Sequence, residues 1–344
     1  MSLLGRRTYY KPFSYPWAYE GYKLQQQMHW LPEEVPLRED VRDWNQNLSN
    51  EEKHLLTNIF RFFTQGDVDV AKGYLHKYIP MFGHNPEVAM MLSAFANMEA
   101  IHQDAYSLLL DTVGIPELEY QAFSKYKELA DKHNYVEEIT ELQYTQEYVE
   151  DNSRVILYGA SQGDKLRATA KSLAVYSAFT EGLQLFSSFA ILLNFQRFNK
   201  MKGMGQIVTF SVKDESLHVE YMIKLFRTFI EENPEVWTDD FKKELYDICR
   251  TMVELEDNFI DFAFEMGGIE GLTKEEVKKY IRYIADRRLL QLGLKPNYKV
   301  KTNPLPWLEA LLGNTEHANF FETRSTEYSK ALIQGWDKVW ESNL

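Results

Sequence analysis

The sequence predicts an all-α protein, a bundle of long helices, and three observations carry that prediction. Apolar residues recur at helical spacing over segments much longer than ordinary strands. Cap residues and short turns bound these segments, with no low-complexity linker between them. No run of alternating residues with hairpin turns is long enough to argue for a sheet.

The elements follow in chain order. Asn50 can cap a helix that begins EEKHLLTNIFRFF and runs toward Pro80. Asn85-Pro86-Glu87 supplies a cap, a first-turn proline and an early acid, and that helix stops near Gly114 and Pro116. A third segment spans about residues 117–133 and a fourth about 136–158. Gly163 precedes a long segment over about 164–200, and Gly203 and Gly205 precede another over about 206–231. Asp239 or Asp240 opens a helix that ends at Gly267-Gly268. Thr273 and Glu276 form a capping-box pattern before EVKKYIRYIADRRLLQLG. The ends differ: residues 1–45 are rich in Tyr, Trp and Pro, and residues 295–316 are proline-punctuated.

Composition narrows the function. The 344 residues, 44% hydrophobic, are enough for a large core. A net charge of -13 argues against nonspecific binding to nucleic acid or an anionic membrane. The one cysteine, Cys249, excludes a disulfide framework, a thiolate metal site or a dithiol pair within the chain, and a reducing cytoplasm fits. The N-terminus MSLLGRRTYYKPFSYPW does not read as a signal peptide.

Chemistry is concentrated in two matching pieces. In MEAIHQDAYSLLLDTVG, Glu99 and His102 stand three apart and Tyr106 four beyond, all on one helical face. In DESLHVEYM, Glu215 and His218 repeat the Glu-x-x-His pair. From Val88 to Gln103 the only charged residue is Glu99, and from Ser172 to Gln196 the only one is Glu181, 34 residues before Glu215. The many Ser, Thr and Gln residues of the second stretch argue against a membrane helix. A matching acid ahead of Glu99 is Asp67 or Asp69 in FFTQGDVDVAKGY. Phe60, Phe63, Val70 and Tyr74 share the Asp67 face, whereas Gln65, Lys72 and His76 share that of Asp69. The apolar face favours Asp67, 32 residues before Glu99.

Such separations suit antiparallel helix hairpins, up one helix and back to the same level. Two hairpins then bring together four carboxylates and two histidines, the ligand set of ferritin-like dinuclear carboxylate proteins. Two divalent ions would balance four carboxylates, and oxygen and nitrogen donors suit iron or manganese. Tyr106, on the ligand face, could give an electron and a proton to an oxidised cluster.

At these residues the sequence resembles the small, radical-generating subunit of class I ribonucleotide reductase. Five segments occur in the family's order between about Trp30 and Tyr328: HWLPEEVPL, MEAIHQDAYSLLLDT, TEGLQLFSSFA, KDESLH and FFETRSTEYSKA. The resemblance implies a ferritin-like bundle with a dinuclear metal site between four core helices. It implies metal ligands at Asp67, Glu99, His102, Glu181, Glu215 and His218, and the stable radical at Tyr106. Trp30, His102 and Asp214 would relay to the surface, and Tyr328 would be the exit toward the large subunit. The step from Asp67 to Glu99 looks one residue longer than usual, so Asp69 stays the alternative. The implied layout is an N-terminal arm with the relay Trp (1–45), the helical domain (46–294) and a C-terminal region and tail that docks to the large subunit (295–344). Trp30 comes so early that no additional N-terminal nucleotide-binding domain is expected.

The implied reaction reduces ribonucleoside diphosphates to deoxyribonucleotides. It needs several thiols, so substrate chemistry belongs to another polypeptide, the large subunit. A homodimer, and a flavoprotein activase if the metal is manganese, are further implied partners; nucleic acid and membrane are not. The metal is expected to be iron, with manganese or a mixed pair accepted by the same donors. The rival readings are a dimetal oxidase acting on a small apolar substrate and a metal-storage bundle.

Overall fold

The computed structural model describes residues 2–140 and 161–312, and among these residues the regular structure is helical. The only β pairing described is an isolated bridge between Ile269 and Leu272. The main body runs to Pro304; of the second unit, from Leu305, residues up to 312 are described. No described helix is long and apolar enough to cross a membrane.

Nine helices position the site: α1 (Pro16–Met28), α2 (Asn50–Lys72), α3 (Pro86–Val113), α4 (Lys127–Thr140), α5 (Gln162–Ala174), α6 (Leu185–Arg197), α7 (Lys202–Glu232), α8 (Asp239–Ala263) and α9 (Lys274–Gln291). A π-helical stretch, Val175–Gln184, joins α5 to α6 without a break. The core lies where α2, α3, the π stretch with α6, and α7 meet; α1 crosses α3 and α7, and α8 and α9 cover the other side.

Local chemistry explains the helix ends. Ser49, one residue before the expected cap, starts α2: its hydroxyl accepts from Glu52 N at 3.2 Å and its N–H donates to the Glu52 carboxylate at 2.9 Å. Pro86 opens α3, and Gly114 closes it in the left-handed region at φ +82°. Thr273 and Glu276 form the expected capping box. The start of α7 is held from a distance. Asp40 accepts from Gly203 N at 2.9 Å and Met204 N at 2.8 Å, and Asp43 accepts from Met201 N at 2.8 Å. A Cβ on Gly203 would sit 2.6 Å from Asp40 Oδ2, so glycine is required for this approach. The segment just after Trp30 is thereby anchored to the helix that carries Asp214.

Three expected segments differ from the fold. Residues 117–133 are not one helix; Glu117–Glu119 and Phe123–Lys125 form 3-10 turns before α4 begins. Tertiary contacts override the local pattern: Arg61 of α2 donates to Glu119 at 2.6 Å and lies 4.4 Å from the Tyr126 ring centroid. The segment expected over 136–158 begins inside α4, and its part beyond residue 140 lies outside the described residues. The long segment expected over 164–200 is continuous, but its middle is π-helical. There Arg288 Nε donates to Gly182 O at 2.7 Å, and a Cβ on Gly182 would meet Ser177 O at 2.7 Å.

Candidate metal centre and its surroundings

Each core helix delivers its acid or histidine from an apolar face. Asp67 comes from α2, Glu99 and His102 from α3, Glu181 from the π stretch, and Glu215 and His218 from α7. All six are buried, none more than 2% exposed. Donor atoms of Glu99, Glu181, Glu215 and His218 lie within 4.8 Å of one another.

Glu99 and Glu215 face both histidines crosswise. Glu99 Oε1 is 3.0 Å from His218 Nδ1, and Glu99 Oε2 is 3.5 Å from His102 Nδ1. Glu215 Oε1 is 3.3 Å from His102 Nδ1, and Glu215 Oε2 is 3.7 Å from His218 Nδ1. Each carboxylate thus offers one oxygen toward each imidazole. Both Glu99 oxygens, Glu215 Oε2, His218 Nδ1 and Asp67 Oδ2 lack hydrogen-bond geometry to any described residue. So many buried orphan donor atoms in one region would be costly unless a cation joins them, and the oxygen and nitrogen set of Glu99, Glu181, Glu215 and His218 fits such an ion.

Asp67 and Asp69 face different surroundings. Asp67 lies in the field of His102, Glu99 and Glu215. Asp69 points elsewhere: it accepts from Gln65 at 2.7 Å, pairs with His133, and lies 3.7 Å from Lys72.

Burial pushes Asp67 and Glu181 well above the usual carboxylate range, and neighbouring acids add to the push. Burial also opposes charge on the other groups, but the close approach of imidazoles and carboxylates wins there. Glu99 is held down at about 2 by His102 and His218, and His218 is pushed up to about 10 by Glu215 and Glu99. His102 is likewise raised, by Asp214, Glu215 and Glu99. Metal binding to these groups would release protons.

Behind the histidines lies a buried polar chain. His102 Nε2 is 3.2 Å from Asp214 Oδ2, which also accepts from Trp30 Nε1 at 2.8 Å. The Trp30 and His102 rings stack with centroids 6.2 Å apart. Gln25 of α1 completes the chain: its amide donates to Asp214 Oδ1 at 2.8 Å, and its Oε1 is 3.1 Å from His218 Nε2. A carboxylate only accepts, so the Gln25 NH₂ must face Asp214 and its oxygen must face His218. Both histidines then donate from Nε2 and turn Nδ1 toward the cluster.

Two phenols flank the cluster. Tyr106 is 4% exposed and stacks on Phe63 at 4.5 Å, with Phe63 in turn 5.7 Å from Phe189. Its hydroxyl has no hydrogen-bond geometry to a described residue; burial, then the charge of Asp67, pushes the phenol up. Tyr74, on the π-helical turn after α2, stands edge-on to His218 at 6.0 Å.

Sequence reasoning missed Gln25 and gave Tyr74 no role. Gln25 sits in a Gln-Gln-Gln run that looks like a solvated face; the only hint is its phase with Ala18 and Gly21, which are also buried. Tyr74 follows Asp67 by seven residues, as Tyr106 follows Glu99, and that repeat was available. Tyr328 and the tail after it lie outside the described residues.

A helical bundle with a buried set of carboxylates and two Glu-x-x-His pairs has the make-up of the ferritin-like dimetal-carboxylate class. The model of the family "Ribonucleotide reductase, small chain" matches residues 7–304, and the chain belongs to that family. It is 43% identical over 365 aligned positions to a probable ribonucleoside-diphosphate reductase small subunit of Invertebrate iridescent virus 6, covering 99% of each chain. It is 32% identical to the ribonucleoside-diphosphate reductase subunit beta of Chlamydia pneumoniae, covering 94% of this chain and 91% of that one. The ribonucleotide reductase R2 subunit of Clostridium botulinum shares the fold at TM-score 0.75 and 23% identity, over 87% of this chain and 89% of that one. The chain is thus a small subunit of ribonucleotide reductase, which implies a large-subunit partner.

Proposed function

We propose that this subunit generates a tyrosyl radical on Tyr106 and passes it to the large subunit for reduction of ribonucleoside diphosphates. The observation that carries this reading is the crosswise approach of Glu99 and Glu215 to both Nδ1 atoms, with a buried phenol beside them. Asp67, Glu99, His102, Glu181, Glu215 and His218 would hold two metal ions, iron first, with manganese or a mixed pair accepted by the same donors. Loaded and oxidised, such a centre supplies a one-electron oxidant strong enough for a phenol.

The chain's own residues do the rest. Tyr106 gives up an electron and its phenolic proton, and Asp67, whose charge bears most on that hydroxyl, takes the proton. Phe63 and Phe189 keep water from the resulting radical. Asp214 fixes His102 and the Trp30 indole in one hydrogen-bonded line, the start of the path outward. Tyr328 is the exit, and the apolar residues Ala331, Leu332, Trp336, Val339 and Trp340 after it dock the tail on the large subunit. A homodimer in the cytoplasm, served by a flavoprotein activase if the metal is manganese, completes the reading.

The test is to load metal-free protein with iron(II), admit oxygen, and record metal content and the electron paramagnetic resonance spectrum. Two ions per chain and a tyrosyl signal are expected, with nucleotide reduction once the large subunit is added. Two ions with neither signal nor reduction would favour a dimetal oxidase; many ions per chain would favour storage.

A further inference from the structure

Tyr74 is the second phenol buried against the cluster, and the radical path above does not use it. Its ring is 1% exposed and edge-on to both His218 and Phe95, at 6.0 and 6.1 Å. Its hydroxyl meets no strict hydrogen-bond geometry but faces Glu181, and burial, then the charge of Glu181, pushes the phenol up. A phenylalanine would fill this space without stranding a hydroxyl, which is costly to bury. Tyr78, four residues on, shows the ordinary arrangement: its hydroxyl donates to Ser172 O at 3.0 Å. The two cluster phenols also serve different halves. Tyr106 lies in the field of Asp67, whereas Tyr74 lies beside Glu181 and against His218.

We infer that Tyr74 is a second oxidisable residue of this centre, a reserve electron donor on the Glu181 side. The inference rests on the radical-generating function proposed above. Tyr74 loses one electron to the oxidised dinuclear centre and its phenolic proton to the Glu181 carboxylate, and becomes a neutral tyrosyl radical. Its ring contacts continue to Tyr78 at 6.0 Å, and from Tyr78 to Tyr176 at 5.9 Å. Trp30, by contrast, is reached through His102 and Asp214. An oxidising equivalent on Tyr74 thus has ring contacts that lead away from Trp30, and it spares the ligands when Tyr106 cannot react.

The experiment compares the wild type, Tyr106→Phe, Tyr74→Phe and the double variant. Each is loaded with iron(II), exposed to oxygen and freeze-quenched for paramagnetic resonance, with metal analysis alongside. Ring-deuterated tyrosine identifies tyrosyl signals by their narrowing. Tyr106→Phe should show a tyrosyl signal with a hyperfine pattern different from the wild type, and the double variant should lose it. Tyr74→Phe alone should bind two ions and show only the wild-type signal. A silent Tyr106→Phe, or a signal that survives in the double variant, overturns the inference. So does loss of metal in Tyr74→Phe, which would make the phenol a positioning residue for Glu181. A wild type without any tyrosyl signal would instead overturn the function on which the inference rests.

Discussion

The two halves of the cluster carry the same chemistry on different backbones. In the first half Asp67 sits on the α-helical α2, and in the second Glu181 sits in a ten-residue π-helical stretch. The outer partners differ as well: His102 leans on the Asp214 carboxylate, His218 on the Gln25 amide. A carboxylate raises the basicity of its histidine more than an amide does, so the halves are unequal although their motifs match. The hydrogen-bonded line to Trp30 leaves from the His102 side. The difference teaches that a repeated Glu-x-x-His motif need not give two equivalent surroundings.

The largest expected effect breaks the comparison at the phenols. Tyr106→Phe should keep two ions per chain and lower nucleotide reduction with the large subunit to background, because the ring remains but no phenolic proton can leave. Full activity in that variant would point to a metal-centred oxidant. Glu181→Ala should come next, with loss of bound metal on elemental analysis. Full occupancy would sink the assignment. Asp67→Ala should likewise cost metal, whereas Asp69→Ala should leave metal content unchanged and cost about 1–3 kcal/mol of stability in denaturant titration, because it strands the groups that this buried carboxylate pairs with.

Gln25→Leu sharpens the comparison of the outer partners. It strands His218 Nε2 and Asp214 Oδ1, and affinity for manganese(II) should fall about 10- to 100-fold, read from the free-ion resonance signal. A variant with unchanged affinity would make the Gln25 bridge incidental.

A smaller effect concerns pH. His218, raised to about 10 in the metal-free protein, binds a proton that the unfolded chain releases near its ordinary value of about 6.5. Its stabilisation is complete below that value and is lost as pH rises toward 10. Asp67 and Glu181, also raised, act in the same direction from the ordinary carboxylate range upward, while Glu99, held at about 2, loses its contribution as pH falls from 4.5 toward 2. The melting temperature of metal-free protein should therefore fall from pH 6.5 upward, and loaded protein should resist the change. Parallel curves for the two forms would contradict a shared proton and metal site. The least effect on this subunit itself is expected from truncation after Tyr328: metals and radical intact, binding to the large subunit weakened. Tyr328→Phe should bind normally and abolish turnover.

How far the sequence determined these features varies with the residue. Helical class, the two Glu-x-x-His pairs and the isolated acids were legible, because helix periodicity and the cost of burying a lone carboxylate act locally. Phase alone favoured Asp67 over Asp69, and in the fold Asp69 is occupied by Gln65 and His133. The Trp30 and Asp214 pair entered only through resemblance, since nothing local joins residues 184 positions apart. The π register around Glu181 is stabilised by Arg288 of α9, which captures the Gly182 carbonyl across the bundle. Gln25 reaches Asp214 and His218 only because α1 crosses α3 and α7. The sequence by itself determined which side chains are available on each helical face. Tertiary structure decided which of their hydrogen bonds close, because donors and acceptors from distant segments must meet within a few tenths of an ångström.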